Sequence, residues 1–443
     1  MRGTPYPTLD ELLRRARAMV AARPGVLRLR DVGASRAGRP LWLLSAGHGP
    51  RHVLTVAGAH ANEPVGGATS LRLAERFARD PGVLGGGDGG LDCTWHFLLC
   101  LDPDGASLAE RWMTPTPAGT TGAGSASTGV GMASTETEAV STGVGVAPTV
   151  ETYYRRFYRP AFAAQPEFPP TEGDPRPSMP ESGILLRLLD ELRPAVQFSL
   201  HGVEVGGTFL QLTRTVPGAP AAYRRIAAGL GIPLEHRPFD GMGWLVEGPG
   251  VLVLPDGSPI EERDPSGFTS QATWLYAMRH GTVSAVVEAP FWSAAGVCDP
   301  RPVAEPRREV AEACEVLLYR AKQLESVVGE LDPSPPETPD ELAHFTAARE
   351  LMDIGSAVVD TWNAAHLATT VGNSVSLGIA ARRIPLRAAA MMSQALGGAP
   401  ALDTLVGAWS RELESTFDIR WVPVADQAEL QTRTMLALAR ALI

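Results

Sequence analysis

The stretch HVLTVAGAHANEPVGGATSLRLAERFAR, residues 52–79, decides the fold. Residues 52–58 form an apolar run typical of a buried strand, and residues 64–79 have the apolar spacing of a helix. The tight turn between them is built from small residues and holds His60 and Glu63. Apolar strands that alternate with helices indicate a sheet covered by helices on both faces. The stretch therefore predicts an α/β protein with polar side chains at a strand end.

The same alternation continues on both sides of this stretch. Further strands are predicted at residues 41–47, 94–103, 195–202, 208–214 and 282–290, and further helices at 8–22, 181–192, 217–230 and 303–330. The stretch 114–150 breaks the pattern: it is rich in Gly, Ser, Thr and Ala, and it repeats the sequence STGVG. Such a composition cannot offset its ordering entropy, so we expect a disordered insertion there, or a lid that orders on substrate binding.

Composition excludes several classes of protein. The chain has 443 residues, of which 44% are hydrophobic, and its formal net charge is −10. An acidic protein without clustered positive charge does not coat nucleic acid, and we expect no nucleic-acid partner. Because no apolar run of about 20 residues and no signal-peptide core is present, we expect no membrane partner either. Because the N-terminal stretch lacks a signal-peptide core, we expect a cytoplasmic protein, and four scattered cysteines do not make a disulfide framework.

Two histidines and one glutamate form a candidate metal site. His60 and Glu63 lie three residues apart in the turn after a strand, where an imidazole and a carboxylate can converge on one ion. His201 also ends an apolar strand, just before a glycine-rich turn. Ligands in open α/β sheets lie at the carboxyl ends of strands, and catalytic zinc takes three protein ligands and a water. The other interpretation of His60 and Glu63 is a surface histidine with a helix-capping glutamate.

Glu288 follows an apolar strand run in the sequence SAVVEAP. A carboxylate in such a position is costly to bury unless it has a charged partner or a catalytic task. Near a zinc-bound water it could act as the general base, and the alternative is a structural pair with a buried arginine.

These motifs, in order, resemble the zinc carboxypeptidases of the carboxypeptidase A (funnelin) type. The resemblance rests on DVGASRAGRPLWLLSAG (31–47), AGAHANEP, LDPDG, an Arg-Phe segment, SLHG and VVEAP, and it covers about residues 25–300. It implies a mixed central sheet and one zinc ion per chain, bound by His60, Glu63 and His201. It also implies that Glu288 is the general base.

The resemblance assigns arginines as well. YYRRFYRP (153–160) is similar to the family's Asn-Arg-x-Phe element, so Arg155 would bind the substrate carboxylate, with Arg156 or Arg159 as alternatives. Arg111 would stabilise the developing oxyanion. The acidic residue that orients the first zinc histidine in the family would fall at Thr152, so either Glu151 replaces it or support comes from elsewhere.

The predicted organisation has four parts. We expect an N-terminal helix at 1–23, a zinc carboxypeptidase-like catalytic domain at 24–330 with the insertion at 114–150, a Pro-rich linker at 331–339 and an all-helical C-terminal domain at 340–443. The last domain carries no chemical motif. It would form a packed bundle, a homo-oligomer interface, or a surface that selects the substrate.

The predicted function is that of a zinc metallocarboxypeptidase that cleaves a peptide or an amino-acid conjugate near a free carboxylate. Two alternatives remain open. One is a small-molecule deacylase of the aspartoacylase or succinylglutamate desuccinylase type, which shares the His-x-x-Glu metal site. The other is an inactive, metal-free binding module.

Overall fold

The structure is a computed structural model that describes residues 6–87, 89–113, 147–171, 173–238, 241, 243–255, 272–365 and 369–443. Its strands are β1 (Leu27–Ala34), β2 (Pro40–Ala46), β3 (Arg51–Val56), β4 (Cys93–Leu98), β5 (Val196–Gly206), β6 (Phe209–Leu212), β7 (Leu245–Gly248), β8 (Val251–Val253), β9 (Val283–Ala294) and β10 (Ile419–Trp421). Its α-helices are α1 (Leu9–Ala22), α2 (Val65–Arg79), α3 (Pro103–Ala109), α4 (Val150–Tyr154), α5 (Pro180–Leu192), α6 (Ala219–Leu230), α7 (Thr273–Tyr276), α8 (Pro306–Leu331), α9 (Pro339–Asp353), α10 (Gly355–Ala365), α11 (Val371–Ala395), α12 (Pro400–Phe417) and α13 (Val424–Leu442).

The strands form one mixed sheet in the order β1-β2-β4-β3-β5-β9-β6-β8-β7, and β10 pairs with β9. The central strands β4, β3, β5 and β9 run parallel to one another, whereas β2 pairs antiparallel with β4, and β6 pairs antiparallel with β9. The carboxyl ends of β3, β5 and β9 therefore meet at one edge of the sheet. The predicted mixed sheet is confirmed.

Helices cover both faces of this sheet. On one face, α2 and α13 pack against the central strands, with Phe77 and Leu436 buried in the same cluster as Trp95. On the other face, α5 contributes Leu185 and Leu188 to a second cluster. Each α-helix that carries these residues has the apolar stripe that such packing requires.

The C-terminal segment is helical as predicted, with one exception. Residues Ile419–Trp421 form β10, which pairs antiparallel with the end of β9. This strand was not predicted, because three residues are too few for an apolar period to appear in the sequence. Asp418 ends α12 in the left-handed conformation, at φ 43°, and turns the chain into β10.

The C-terminal helices share their core with the rest of the chain. Gln431 of α13 donates through Nε2 to the carbonyl oxygens of His201 (2.8 Å) and Val287 (3.0 Å), and its Oε1 accepts a hydrogen bond from Thr69 Oγ1 (2.7 Å). Gln431 is fully buried. The division at residue 340 stays a prediction, and α13 contributes side chains to the core beneath the sheet edge.

A chain that ends at residue 338 is expected to lose cooperative folding. The truncation removes α13 and β10 and so exposes the apolar side chains of α2 and β9 that these elements cover, which favours a compact state without fixed packing. Thermal unfolding by near-UV circular dichroism, with the full chain in parallel, tests this. A cooperative transition in the truncated protein would instead support an independent domain.

Most of the predicted insertion, residues 114–146, lies outside the described residues. The last residue of the predicted insertion, Val150, begins α4 and is fully buried in the main apolar cluster. Among the described helices, none is long and apolar enough to cross a membrane.

Candidate metal centre and active site

The turn after β3 brings His60 and Glu63 to the sheet edge. Gly58 has a φ of 58°, and a Cβ atom there would lie 2.7 Å from Cys100 Sγ, so both the backbone conformation and the space favour glycine. The main chain of this turn pairs with the segment after β4, where Asp102 N donates to Gly58 O (2.9 Å). The turn is therefore held on the neighbouring strand end.

His60, Glu63 and His201 converge as predicted from the sequence. His60 Nδ1 lies 3.0 Å from Glu63 Oε1, His201 Nδ1 lies 3.0 Å from Glu63 Oε2, and the two Nδ1 atoms are 3.1 Å apart. Two ligand atoms bound to one tetrahedral zinc ion at about 2.0–2.1 Å lie about 3.3 Å from each other. Two imidazole nitrogens and a carboxylate oxygen, all within 4.8 Å of one another, fit zinc in both spacing and chemistry.

Glu288 lies beside this group. It is the register partner of His201 in the parallel pairing of β5 and β9, and its Oε1 is 4.0 Å from His201 Nδ1. Residue Glu288 is 9% exposed, compared with 3% for His201. The structure thus places the predicted base on the adjacent strand, next to the predicted metal ligands.

Glu167 is a site residue that sequence reasoning missed. Its Oε2 lies 3.0 Å from His60 Nε2, and its Oε1 lies 3.0 Å from His201 Nε2. Glu151, the candidate from sequence for such support, instead pairs with Arg155 and Arg411. The sequence feature that could have pointed to Glu167 is that it is the one carboxylate in the apolar, proline-rich stretch AFAAQPEFPP (161–170).

Arg159 is the arginine that contacts the metal group. Its Nη1 donates to Glu63 Oε1 (3.1 Å), and its Nη2 lies 3.0 Å from both ring nitrogens of His60. Because Nη2 is equally far from both ring nitrogens, it lies over the face of the His60 ring and not in the ring plane, where the nitrogen lone pairs point. The Arg159 side chain is 23% exposed, so it also reaches the surface of the site.

The structure does not bring Arg155 to the metal group. Its guanidinium pairs with Glu151 Oε1 (2.7 Å) and lies 3.5 Å from Asp403 Oδ1 on α12. Arg156 follows the end of α4 and is half-buried. The side chain of Arg111 lies outside the described part of the structure, so its predicted role stays a prediction.

The titratable side chains of the group influence one another strongly. Burial is the largest influence on Glu63 and raises its pKa, but the charge of His60 and hydrogen bonds with His201 and His60 outweigh burial, so the pKa lies well below its usual value. Burial likewise raises the pKa of Glu167, and His201 and His60 outweigh it and lower that pKa. Two carboxylates that stay ionised provide the negative charge that favours a divalent cation.

Comparison with known families supports a zinc site at His60 and Glu63. Residues 12–130 match the profile of the zinc carboxypeptidase family, and the match includes His60 and Glu63. The resemblance inferred from the sequence motifs is thereby confirmed. Zinc hydrolases are the class of protein that the family match and the His-Glu-His group support. The comparison with curated proteins found no match.

Solved structures that resemble the chain include carboxypeptidases. Carboxypeptidase A from Helicoverpa armigera is 15% identical, with 65% of this chain and 65% of that chain covered and a TM-score of 0.37. Bovine thrombin-activatable fibrinolysis inhibitor, in complex with tick carboxypeptidase inhibitor, is 13% identical, with 64% and 86% covered and a TM-score of 0.37.

Proposed function

We propose that the protein is a zinc-dependent hydrolase of the metallocarboxypeptidase type, which cleaves a peptide or amide bond near a free carboxylate of its substrate. The observation that carries this proposal is the convergence of His60, Glu63 and His201 at the sheet edge with Glu288 beside them. One zinc ion per chain would be bound by the three ligands.

Each residue then has a definite task. A zinc ion would supply Lewis-acid chemistry, lowering the pKa of a bound water toward about 7 and polarising the carbonyl under attack. Glu288 accepts the proton of the attacking water and donates it to the leaving nitrogen. Because Gln431 holds the carbonyls of His201 and Val287, the spacing between the two strands that carry His201 and Glu288 is maintained from α13.

Arg159, in preference to Arg155, is proposed to bind the substrate. A planar guanidinium pairs well with a carboxylate, and Arg159 contacts Glu63 and His60 whereas Arg155 contacts α12. In the Arg159→Gln variant we expect the KM for a peptide with a free carboxyl terminus to rise about 10–100-fold, since a charged hydrogen bond contributes about 1.5–3 kcal/mol.

Arg155→Gln is the matched control and is expected to change KM less than about twofold. Steady-state kinetics on the free peptide and its C-terminal amide distinguish the roles, because only the free peptide loses a contact in Arg159→Gln. If kcat fell equally for both substrates while the zinc content stayed unchanged, Arg159 would act on the scissile carbonyl, whereas an equal fall with loss of zinc would show that Arg159 supports Glu63 and His60. If Arg155→Gln raised KM, the sequence-based assignment would be restored.

A deacylase acting on N-acyl amino acids is the second candidate, and burial of the group favours it. His60, Glu63 and His201 are only 3–7% exposed, which suits a small substrate. Mass spectrometry of products from a peptide library with defined termini and from a panel of N-acyl amino acids, each with and without a chelator, tests both functions. Chelator-sensitive loss of one C-terminal residue supports the peptidase, and hydrolysis of the N-acyl panel alone supports the deacylase.

A cytoplasmic location and a homo-oligomer formed through the C-terminal helices stay predictions from the sequence. Size-exclusion chromatography with light scattering measures the oligomeric state and so tests the predicted homo-oligomer.

A further inference from the structure

Glu167 sits in a segment that is fixed on both sides. Its carbonyl oxygen accepts a hydrogen bond from Thr273 N (2.9 Å), and Ser182 Oγ donates to the carbonyl of the preceding Pro166 (2.7 Å). Phe162 N, in the same segment, donates to Glu350 Oε2 (2.8 Å). Glu167 is 1% exposed, so its carboxylate is held in place among buried partners.

The two oxygens of Glu167 are divided between two histidines. Oε2 faces His60 Nε2 and Oε1 faces His201 Nε2, each at 3.0 Å. Ser199 Oγ donates to Oε1 (3.0 Å) and also lies 2.9 Å from His201 Nε2. An ionised carboxylate only accepts hydrogen bonds, so each Nε2 must carry the proton. A metal ligand must be a neutral imidazole, so with Nε2 protonated it is Nδ1 that would offer its lone pair to the metal, and both Nδ1 atoms face Glu63, the third proposed ligand.

We propose that Glu167 is a shared positioning residue that fixes the tautomer and the ring orientation of both His60 and His201 for metal binding. The proposal rests on the metal site of the proposed function. Groups behind metal ligands affect affinity by about 10–100-fold, and a single carboxylate here supports both imidazole ligands.

The Glu167→Gln variant tests directly whether one carboxylate supports both His60 and His201. A glutamine amide presents one acceptor oxygen and one donor nitrogen, so it can support the required tautomer of only one histidine. We expect its zinc Kd, measured by competition with a chromophoric chelator, to rise about 10–100-fold. Ser199→Ala removes the hydroxyl beside His201 Nε2 but keeps both carboxylate contacts, so it is expected to change the Kd less than about threefold if Glu167 is the group that positions His201. Glu350→Gln is the control for the segment, because Glu350 anchors Phe162 and touches neither histidine in the contacts described.

Histidine tautomers in the zinc-loaded wild-type protein provide a second readout that does not depend on any variant. Long-range 1H–15N correlation spectra should show protonated Nε2 and metal-bound Nδ1 for both His60 and His201. Metal binding through Nε2 of either histidine, or a Glu167→Gln protein that is folded and binds zinc as tightly as wild type, would overturn the proposal. Failure of the wild-type protein to bind zinc would instead overturn the proposed function.

Discussion

The Glu288→Gln variant is expected to bind one zinc ion per chain and to lose turnover by about 10²–10⁴-fold. Glutamine has almost the same shape as glutamate but cannot take up the proton of the attacking water. Zinc binding should persist, because the three proposed ligands are other residues and Glu288 lies on the adjacent strand. Steady-state kinetics measures the kcat of the variant, and inductively coupled plasma mass spectrometry measures its zinc content per chain.

Glu191→Gln is a suitable control for this experiment, because Glu191 is about half exposed on the last turn of α5 and its ion pairs with Arg187 (3.8 Å) and Arg30 (3.9 Å) are long. It should retain wild-type turnover. Full activity of Glu288→Gln would remove Glu288 from the mechanism, and loss of zinc together with activity would place it among the metal ligands.

The second large effect is on stability and concerns Glu204. This fully buried carboxylate of β5 accepts hydrogen bonds from Arg387 Nη2 (2.6 Å) and Asn62 Nδ2 (3.1 Å), and Arg383 Nε lies 3.5 Å away. Removing one partner of a buried ion pair leaves the remaining charge without compensation, which costs about 3–5 kcal/mol. Glu204→Gln is therefore expected to lower the free energy of unfolding by about that amount.

Urea unfolding followed by tryptophan fluorescence measures this change. The matched control is Glu312→Gln, which breaks an exposed ion pair with Arg308 within α8 and should lower the free energy of unfolding far less than Glu204→Gln does, because solvent screens exposed pairs. Equal, small losses in the two variants would show that Arg387 and Arg383 do not depend on Glu204. Because Asn62 lies between His60 and Glu63 in the chain, a loss of zinc affinity in Glu204→Gln is expected as well.

The central part of the site was predictable because of a property of parallel sheets. His60, His201 and Glu288 each lie in or just after an apolar run, and the carboxyl ends of parallel strands meet at one edge. Three residues remote in sequence could thus be placed together from local patterns. The same reasoning predicted the helices on both faces.

The supporting residues were not predictable in this way. Glu167 follows no strand, and it reaches both histidines only because the segment around it folds over the sheet edge. Arg155 and Arg159 lie four residues apart in one motif, and only tertiary packing decides that the first contacts α12 and the second Glu63. The hydrogen bonds of Gln431 join residues more than 100 positions apart, which a local pattern cannot reveal.

Zinc titration of the chelator-stripped full chain tests the central claim most directly. Bound zinc and hydrolysis of the best substrate from the library are measured at each addition. We predict that both rise together and saturate at one zinc ion per chain in the wild-type protein, and that His201→Ala and Glu63→Gln neither bind zinc at that stoichiometry nor recover activity. Hydrolysis that persists in the stripped protein, or the absence of stoichiometric zinc binding by the wild-type chain, would contradict the claim.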